Sequence, residues 1–263
     1  MLNTQTQQIP AAISTPNWLD RPSEYLCVYG QPIISLADGT THGIELLARA
    51  ILPGRGLLTP DQFIPQLKQQ GRMHQLDNAM LCEAIFLFEA LAAHSFEPPP
   101  WVSINVSPCR LADCNYLQHV LEAADSVRGI KGHLQLEVTE EKVLDRSIIP
   151  ALESLREAGV KIAIDDLGAG YASISYLSRF PWDSVKFDRQ LIKQVPESTR
   201  ACVVLKSLLA MCQELGLKVV VEGVECNAQR DWLSVNGCEF VQGFLWHRPM
   251  PRQRWVELLA LTS

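Results

Sequence analysis

The chain has 263 residues, 47% of them hydrophobic and 20% charged, with a formal net charge of −6 and a pI near 5.5. This is the composition of a soluble globular protein, and it excludes a disordered or fibrous chain. The acidic balance argues against a broad surface for nucleic acid, although one small anionic ligand in a pocket stays compatible with it.

Residues 1–23, MLNTQTQQIPAAISTPNWLDRPS, read as a flexible N-terminal extension or a partly docked arm beside a single domain over residues 24–263. They lack the basic start and continuous apolar run of a signal peptide. No later window is long and apolar enough to span a bilayer, so a cytoplasmic protein without membrane contact is expected.

From Tyr25 onward, apolar runs alternate with amphipathic segments, the rhythm of repeated strand and helix units. The predicted strands, in chain order, are YLCVYGQPIISL, THGIELLARA, WVSINVS, HLQLEVT, VKIAIDD, DSVKFD, LKVVVEGV and CEFVQGF, eight in all. Between them lie the helix-like stretches LCEAIFLFEALAA, NYLQHVLEAADSV, IIPALESLREAG, YASISYLSRF, STRACVVLKSLLAMCQELG and NAQRDWLSVNG. Gly159, Gly216 and Gly237 follow three of these as helix-end signals. Eight strands alternating with helices predict an α/β fold, a single TIM-like (β/α)8 barrel, with an open doubly wound sheet as the alternative that periodicity leaves standing. The eight cysteines, at 27, 82, 109, 114, 202, 212, 226 and 238, show no C-x-x-C spacing and read as reduced core thiols.

The chemistry stands at the strand ends. Asn105 closes SINVS, Glu137 sits in LEVTE, Asp165 and Asp166 end IDD, Lys186 and Asp188 lie in VKFD, Glu222 in VEG and Gln242 in VQG, while Glu45 interrupts GIELLA. Taken singly, an Asp or Glu after a strand caps a helix or faces water. Taken jointly, solvated loops would not supply six carboxylates and two carboxamides at the strand ends, and in a parallel barrel those ends meet at one mouth.

A mouth so negative needs cations, and oxygen-only donors without nearby His or Cys favour Mg²⁺ or Mn²⁺ over zinc or copper. Adjacent strand residues point to opposite faces, so Asp165 is expected to aim inward while Asp166, past the strand end, swings over the mouth through a turn freed by Gly168 and Gly170. Two metals sharing these carboxylates suit a phosphodiester, because they neutralise the anion, activate a water and stabilise the leaving oxygen. GAGYAS has Ser where a dinucleotide fingerprint needs its third Gly, and LPGRGLL lacks the Lys-Ser/Thr of a phosphate loop and reads as a surface turn.

With YGQPIISL, GIELLAR, LLTPDQFIP, INVSP, LEVTEE, IDDLGAGYASISYLSRFPWDSVKFDRQLI, VVVEGVE and GCEFVQGFLWHRPMP in order, the sequence resembles the EAL-domain family, bacterial phosphodiesterases acting on cyclic di-GMP, from about Tyr25 to Leu261. The resemblance implies a barrel whose first strand, around residues 25–36, runs antiparallel to the rest. It implies metal ligands at Glu45, Asn105, Glu137, Asp165, Asp166 and Glu222, with two Mg²⁺ or Mn²⁺ ions per site and Ca²⁺ as an inhibitor. Lys186 would orient the attacking water, and Glu45, Asp166 and Glu222 share in catalysis. Glu140 would hold the loop after Asp166. Asp188, Glu225 and Gln242 would line or support the site, and Gln31 and Arg49 are candidate substrate contacts.

Two departures from the family pattern, Glu45-Leu46-Leu47 for Glu-Ala-Leu and Ala169 in the glycine loop, remove no ligand. The reading is a metal-dependent hydrolysis of cyclic di-GMP to linear pGpG. Its rival is a catalytically silent receptor or adaptor. The resemblance also implies a homodimer near YASISYLSRF and the helix after FDRQLI. With no sensory domain recognisable in the first 23 residues, input is expected from the extension, oligomerisation or a separate regulatory protein.

Overall fold

The computed structural model describes Trp18 and residues 24–92, 101–127, 132–139, 148–169 and 177–261. Ten strands occur among them: β1 Leu26–Ser35, β2 Thr41–Leu52, β3 Gly56–Leu58, β4 Trp101–Asn105, β5 Leu134–Thr139, β6 Lys161–Leu167, β7 Ser184–Phe187, β8 Lys218–Val221, β9 Phe240–Val241 and β10 Met250–Pro251. The helices are α1 Pro60–Gln69, α2 Met73–Ala92, α3 Pro108–Leu111, α4 Cys114–Val127, α5 Ile149–Glu157, α6 Arg189–Ile192, α7 Thr199–Glu214, α8 Asn227–Val235 and α9 Arg252–Leu261.

The pairing β1-β9-β8-β7-β6-β5-β4-β2 closes on itself through a β1–β2 contact, so the sheet is an eight-stranded barrel rather than an open one. All neighbours from β2 through β9 are parallel, whereas β1 runs antiparallel to β2 and to β9. The short Ser35–Thr41 connection explains this, because a tight hairpin joins only antiparallel strands. LPGRGLL forms a turn that leads into β3, which lies outside the ring on β2. The eight expected strands are the eight of the barrel. Helices α1, α3, α6 and α9 were not among the expected ones, being short, Pro-interrupted or at the chain end.

The helices cover the barrel with apolar faces at i, i+3 and i+4 spacing, such as Leu152 and Leu155 on α5 and Leu205, Leu209 and Cys212 on α7. Leu177 and Phe180, from the segment assigned to core or interface, are buried in this core. Most of the proposed helix YASISYLSRF, including Tyr176, lies outside the described residues, as do Glu140 and Gly170, and its last four residues form turns and a bend. Trp18 is buried in the main core, so at that point the N-terminal extension is docked. The cysteines are all free, but only Cys212 and Cys238 are buried. Cys82, Cys109, Cys114 and Cys226 are exposed, which corrects their reading as core thiols: α2, α3 and α4 turn the first three to solvent, and Cys226 stands at the cap of α8.

Inside the barrel the residues form tiers. Ile33, Trp101, Val220 and Phe240 pack as a separate apolar floor. Trp101 lies where a side chain at position 43 would project, with its ring 2.5 Å from where a Cβ would stand, so only Gly43 admits it. At the same end Asp183 accepts from Arg156 Nε at 3.1 Å, Lys161 Nζ at 3.0 Å and the Ile162 backbone at 3.0 Å, tying α5, β6 and β7 together.

Although burial pushes the Asp183 carboxyl upward, these donors outweigh it and hold it below the ordinary aspartate value. A depressed pKa contributes stability that is present above the unfolded value, near 3.9, and is lost as pH falls through the folded value. Asp183→Asn should therefore destabilise the protein at pH 7 by about 1–3 kcal/mol, and the difference from wild type in urea unfolding should shrink as the medium is acidified below pH 4.

Candidate active site

The carboxylates come together around one ammonium. Lys186, wholly buried on β7, stands 2.6 Å from Glu222 Oε1, 2.9 Å from Glu137 Oε2, 3.0 Å from Glu45 Oε2 and 3.4 Å from Asp165 Oδ1. These residues come from five strands or their C-terminal ends, since Glu222 directly follows β8. Asn105 Nδ2 donates to Glu45 Oε1 at 3.1 Å and Gln242 Nε2 to Glu45 Oε2 at 2.9 Å, fixing both oxygens of that carboxylate. Gln31, opposite Glu45 in the β1–β2 register, donates to the His247 carbonyl at 3.0 Å and holds the loop after β9 against the rim.

The paired aspartates are arranged differently from the expectation. Strand β6 continues through both to Leu167, and its pairing with β7 slips between Ile164 and Leu167. Asp166 takes up that slip with φ +59, a left-handed conformation that Asp tolerates better than most residues. Its backbone twist, rather than a turn beyond the strand, is what brings a second carboxylate to the mouth.

Burial alone would pull the Lys186 pKa down, but the surrounding Asp165, Glu137, Glu222 and Glu45 raise it well above the usual lysine range. Glu45 is pushed up by burial and brought below its ordinary value by Lys186 and its two amide donors. The others move the opposite way. Burial raises Glu137 and Asp165, lifts Glu222 to about 8 and Asp166 to about 6, and like charges add to each. One ammonium cannot neutralise five carboxylates.

Among the described residues no three acidic, His or Cys side chains stand close enough to grip a metal ion as they lie. The donor set nevertheless fits hard cations. Glu137 Oε1, Asp165 Oδ1 and Gln242 Oε1 are buried without a hydrogen-bond donor, and every group facing the centre except Lys186 offers oxygen.

The mouth opens into a cavity of about 480 Å³ that includes Gln31, Glu45, Asn105, Asp165, Asp166, Lys186, Glu222, Glu225 and Gln242 in its lining. It extends as an apolar limb over Ile64, Met73, Leu76 and Met80 on α1 and α2. Arg49 and Asp188 are not in the lining. Arg49 donates to the Ala48 carbonyl and lies over the Tyr29 ring, and Asp188 caps α6 by accepting from Gln190 N at 2.9 Å. Asp77, a cavity carboxylate on α2 that accepts from Ser107 at 3.2 Å, was missed by the strand-end argument. Its signal was an acid among apolar neighbours in LDNAM.

The loops after β8 and β9 are interlocked: Val224 N donates to Gln242 O at 3.2 Å and Leu245 N to Val224 O at 3.0 Å. A Cβ on Gly243 would stand 2.0 Å from Val224 O. Gly243→Ala should push these loops apart, lowering stability by about 1–3 kcal/mol in thermal unfolding and displacing Gln242 from Glu45.

The EAL domain family model matches residues 22–249. The chain belongs to the EAL domain family. It is 39% identical over 238 residues to the cyclic di-GMP phosphodiesterase NbdA of Pseudomonas aeruginosa, covering 90% of this chain and 30% of that protein. The chain thus spans about a third of the length of the first curated relatives it matches. The solved PaMucR phosphodiesterase in complex with c-di-GMP, from Pseudomonas aeruginosa, superposes with a TM-score of 0.79 at 31% identity, over 89% of this chain and 95% of that one. Klebsiella pneumoniae BlrP1, solved as a calcium/cyclic di-GMP complex, gives 0.71 at 29% identity over 87% and 57%. The antiparallel first strand expected of an EAL barrel is β1.

Proposed function

We propose that this chain hydrolyses one phosphodiester bond of cyclic di-GMP to linear pGpG, using two Mg²⁺ or Mn²⁺ ions. The observation that carries the reading is the set of Glu45, Glu137, Asp165 and Glu222 around one ammonium, with Asn105 on Glu45, Asp166 in the same cavity lining and buried oxygens lacking donors. The names of NbdA and of the PaMucR complex supply the substrate class.

Those six residues would hold the cations. The metals would supply Lewis acidity toward the phosphoryl oxygens and lower the pKa of an attacking water. Lys186, a protonated amine with no lone pair, is no ligand. Its three donors suit it to orient that water. Asn105 and Gln242 keep Glu45 from rotating, and Gln31 holds the loop that carries Gln242 against the rim. The apolar limb over Ile64, Met73, Leu76 and Met80 takes a base and excludes water from it.

The test is conversion of cyclic di-GMP to pGpG with Mg²⁺ or Mn²⁺, followed by chromatography. Binding without conversion would assign the chain to the silent receptors. The reading includes a homodimer near YASISYLSRF and α7, the helix after FDRQLI, on which Val203 and Val204 are exposed. Light scattering should give twice the monomer mass at micromolar concentration, and a fully active monomer would remove this part.

A further inference from the structure

Directly beneath the carboxylate tier lies a second polar tier that the proposed chemistry does not use. Ser103, Gln135 and Ser184 precede Asn105, Glu137 and Lys186 by two residues on β4, β5 and β7, so they point into the same lumen. Ser184 Oγ donates to Gln135 Oε1 at 2.9 Å, and Gln135 Nε2 donates to Ser103 Oγ at 3.1 Å. All three are buried.

Strand β6 separates β5 from β7 in the sheet, so the Ser184–Gln135 bond crosses in front of it. The small Ala163, two residues before Asp165, leaves the room. The bond therefore repeats, one tier lower, the β7-to-β5 link that Lys186 makes with Glu137. The three polar residues are separate from the apolar cluster of Ile33, Trp101, Val220 and Phe240, and they lie on the strands that carry Asn105, Glu137 and Lys186. An amide is well suited here. It accepts from one serine and donates to the other without adding a further charge below an already crowded ring.

We infer that Gln135 is a positioning residue which, through Ser103 and Ser184, fixes β4, β5 and β7 so that Asn105, Glu137 and Lys186 hold their mutual spacing; this rests on the phosphodiesterase reading for its kinetic consequence but not for its effect on metal binding. Support of this kind, one step removed from the ligands, commonly changes metal affinity or rate by 10–100-fold when it is in direct contact, and about 10-fold is expected from a tier below.

Three variants of the chain test it. Gln135→Leu strands two buried hydroxyls and should lower the melting temperature by about 3 °C or more. The triple variant Ser103→Ala, Gln135→Leu, Ser184→Ala removes every stranded polar atom and should recover most of that loss. A positioning role requires the triple variant to remain impaired, with calorimetric Mn²⁺ affinity and kcat each down about 10-fold and KM for cyclic di-GMP near the wild-type value. Recovery of Mn²⁺ affinity along with the melting temperature would reduce the tier to a structural role and overturn the proposal.

Should the triple variant stay unstable, Ser184→Ala decides on Mn²⁺ affinity alone: a drop supports the role and an unchanged value overturns it. Wild-type protein that binds Mn²⁺ without hydrolysing cyclic di-GMP defeats the phosphodiesterase reading and leaves the affinity comparison valid. Wild-type protein that binds no Mn²⁺ overturns both.

Discussion

Lys186→Ala should cut single-turnover hydrolysis of cyclic di-GMP by about 100-fold or more, the order seen when one preorganised electrostatic donor is removed. The ammonium is wholly buried and touches Glu45, Glu137, Asp165 and Glu222 at once, so no neighbouring group can take over its role. It is not a metal ligand, so calorimetry should still show the cation and the dinucleotide binding. The metal-free variant, left with five carboxylates and no counter-charge, should melt lower than wild type and regain more on addition of Mg²⁺. Glu45→Ala should behave otherwise, losing cation affinity and turnover together. An unchanged rate in folded Lys186→Ala protein would mean that the lysine only balances charge.

Removing the cations should abolish turnover altogether. Five carboxylates facing one ammonium would repel a phosphodiester, so the pocket can accept its substrate only after further positive charge arrives. Excess chelator should therefore stop both binding and hydrolysis, and Mg²⁺ or Mn²⁺ should restore them. Ca²⁺ takes longer bonds and more ligands and is a weaker Lewis acid, so it should restore binding while leaving hydrolysis suppressed. Robust hydrolysis in chelator or in calcium alone would refute the two-metal reading.

Much of this site was legible because barrel topology converts a one-dimensional rule into a spatial one. A polar residue at the end of each apolar run must reach the mouth once the strands are parallel, and Glu45, Asn105, Glu137, Asp165, Lys186, Glu222 and Gln242 meet there. Arg49 and Asp188 are on the same segments but outside the cavity lining. Arg49 lies past Leu46, the last β2 residue paired with β4, on the stretch where β2 still pairs with β1, and Asp188 is turned to cap α6. Asp77 was not legible in this way, since it reaches the cavity from the middle of α2 and no strand-end rule applies to it.

The pattern of the chain by itself determined the eight strands and the acidic residues at their ends, because strand periodicity and charge are local properties read along the chain. Closure of the sheet, the slip that turns Asp166 to φ +59, and the Ser103–Gln135–Ser184 tier were decided only in three dimensions. Each depends on which strands become neighbours and on how much room an intervening side chain leaves. Ala163 between β5 and β7, or Gly43 beside Trp101, has no meaning until those strands lie side by side.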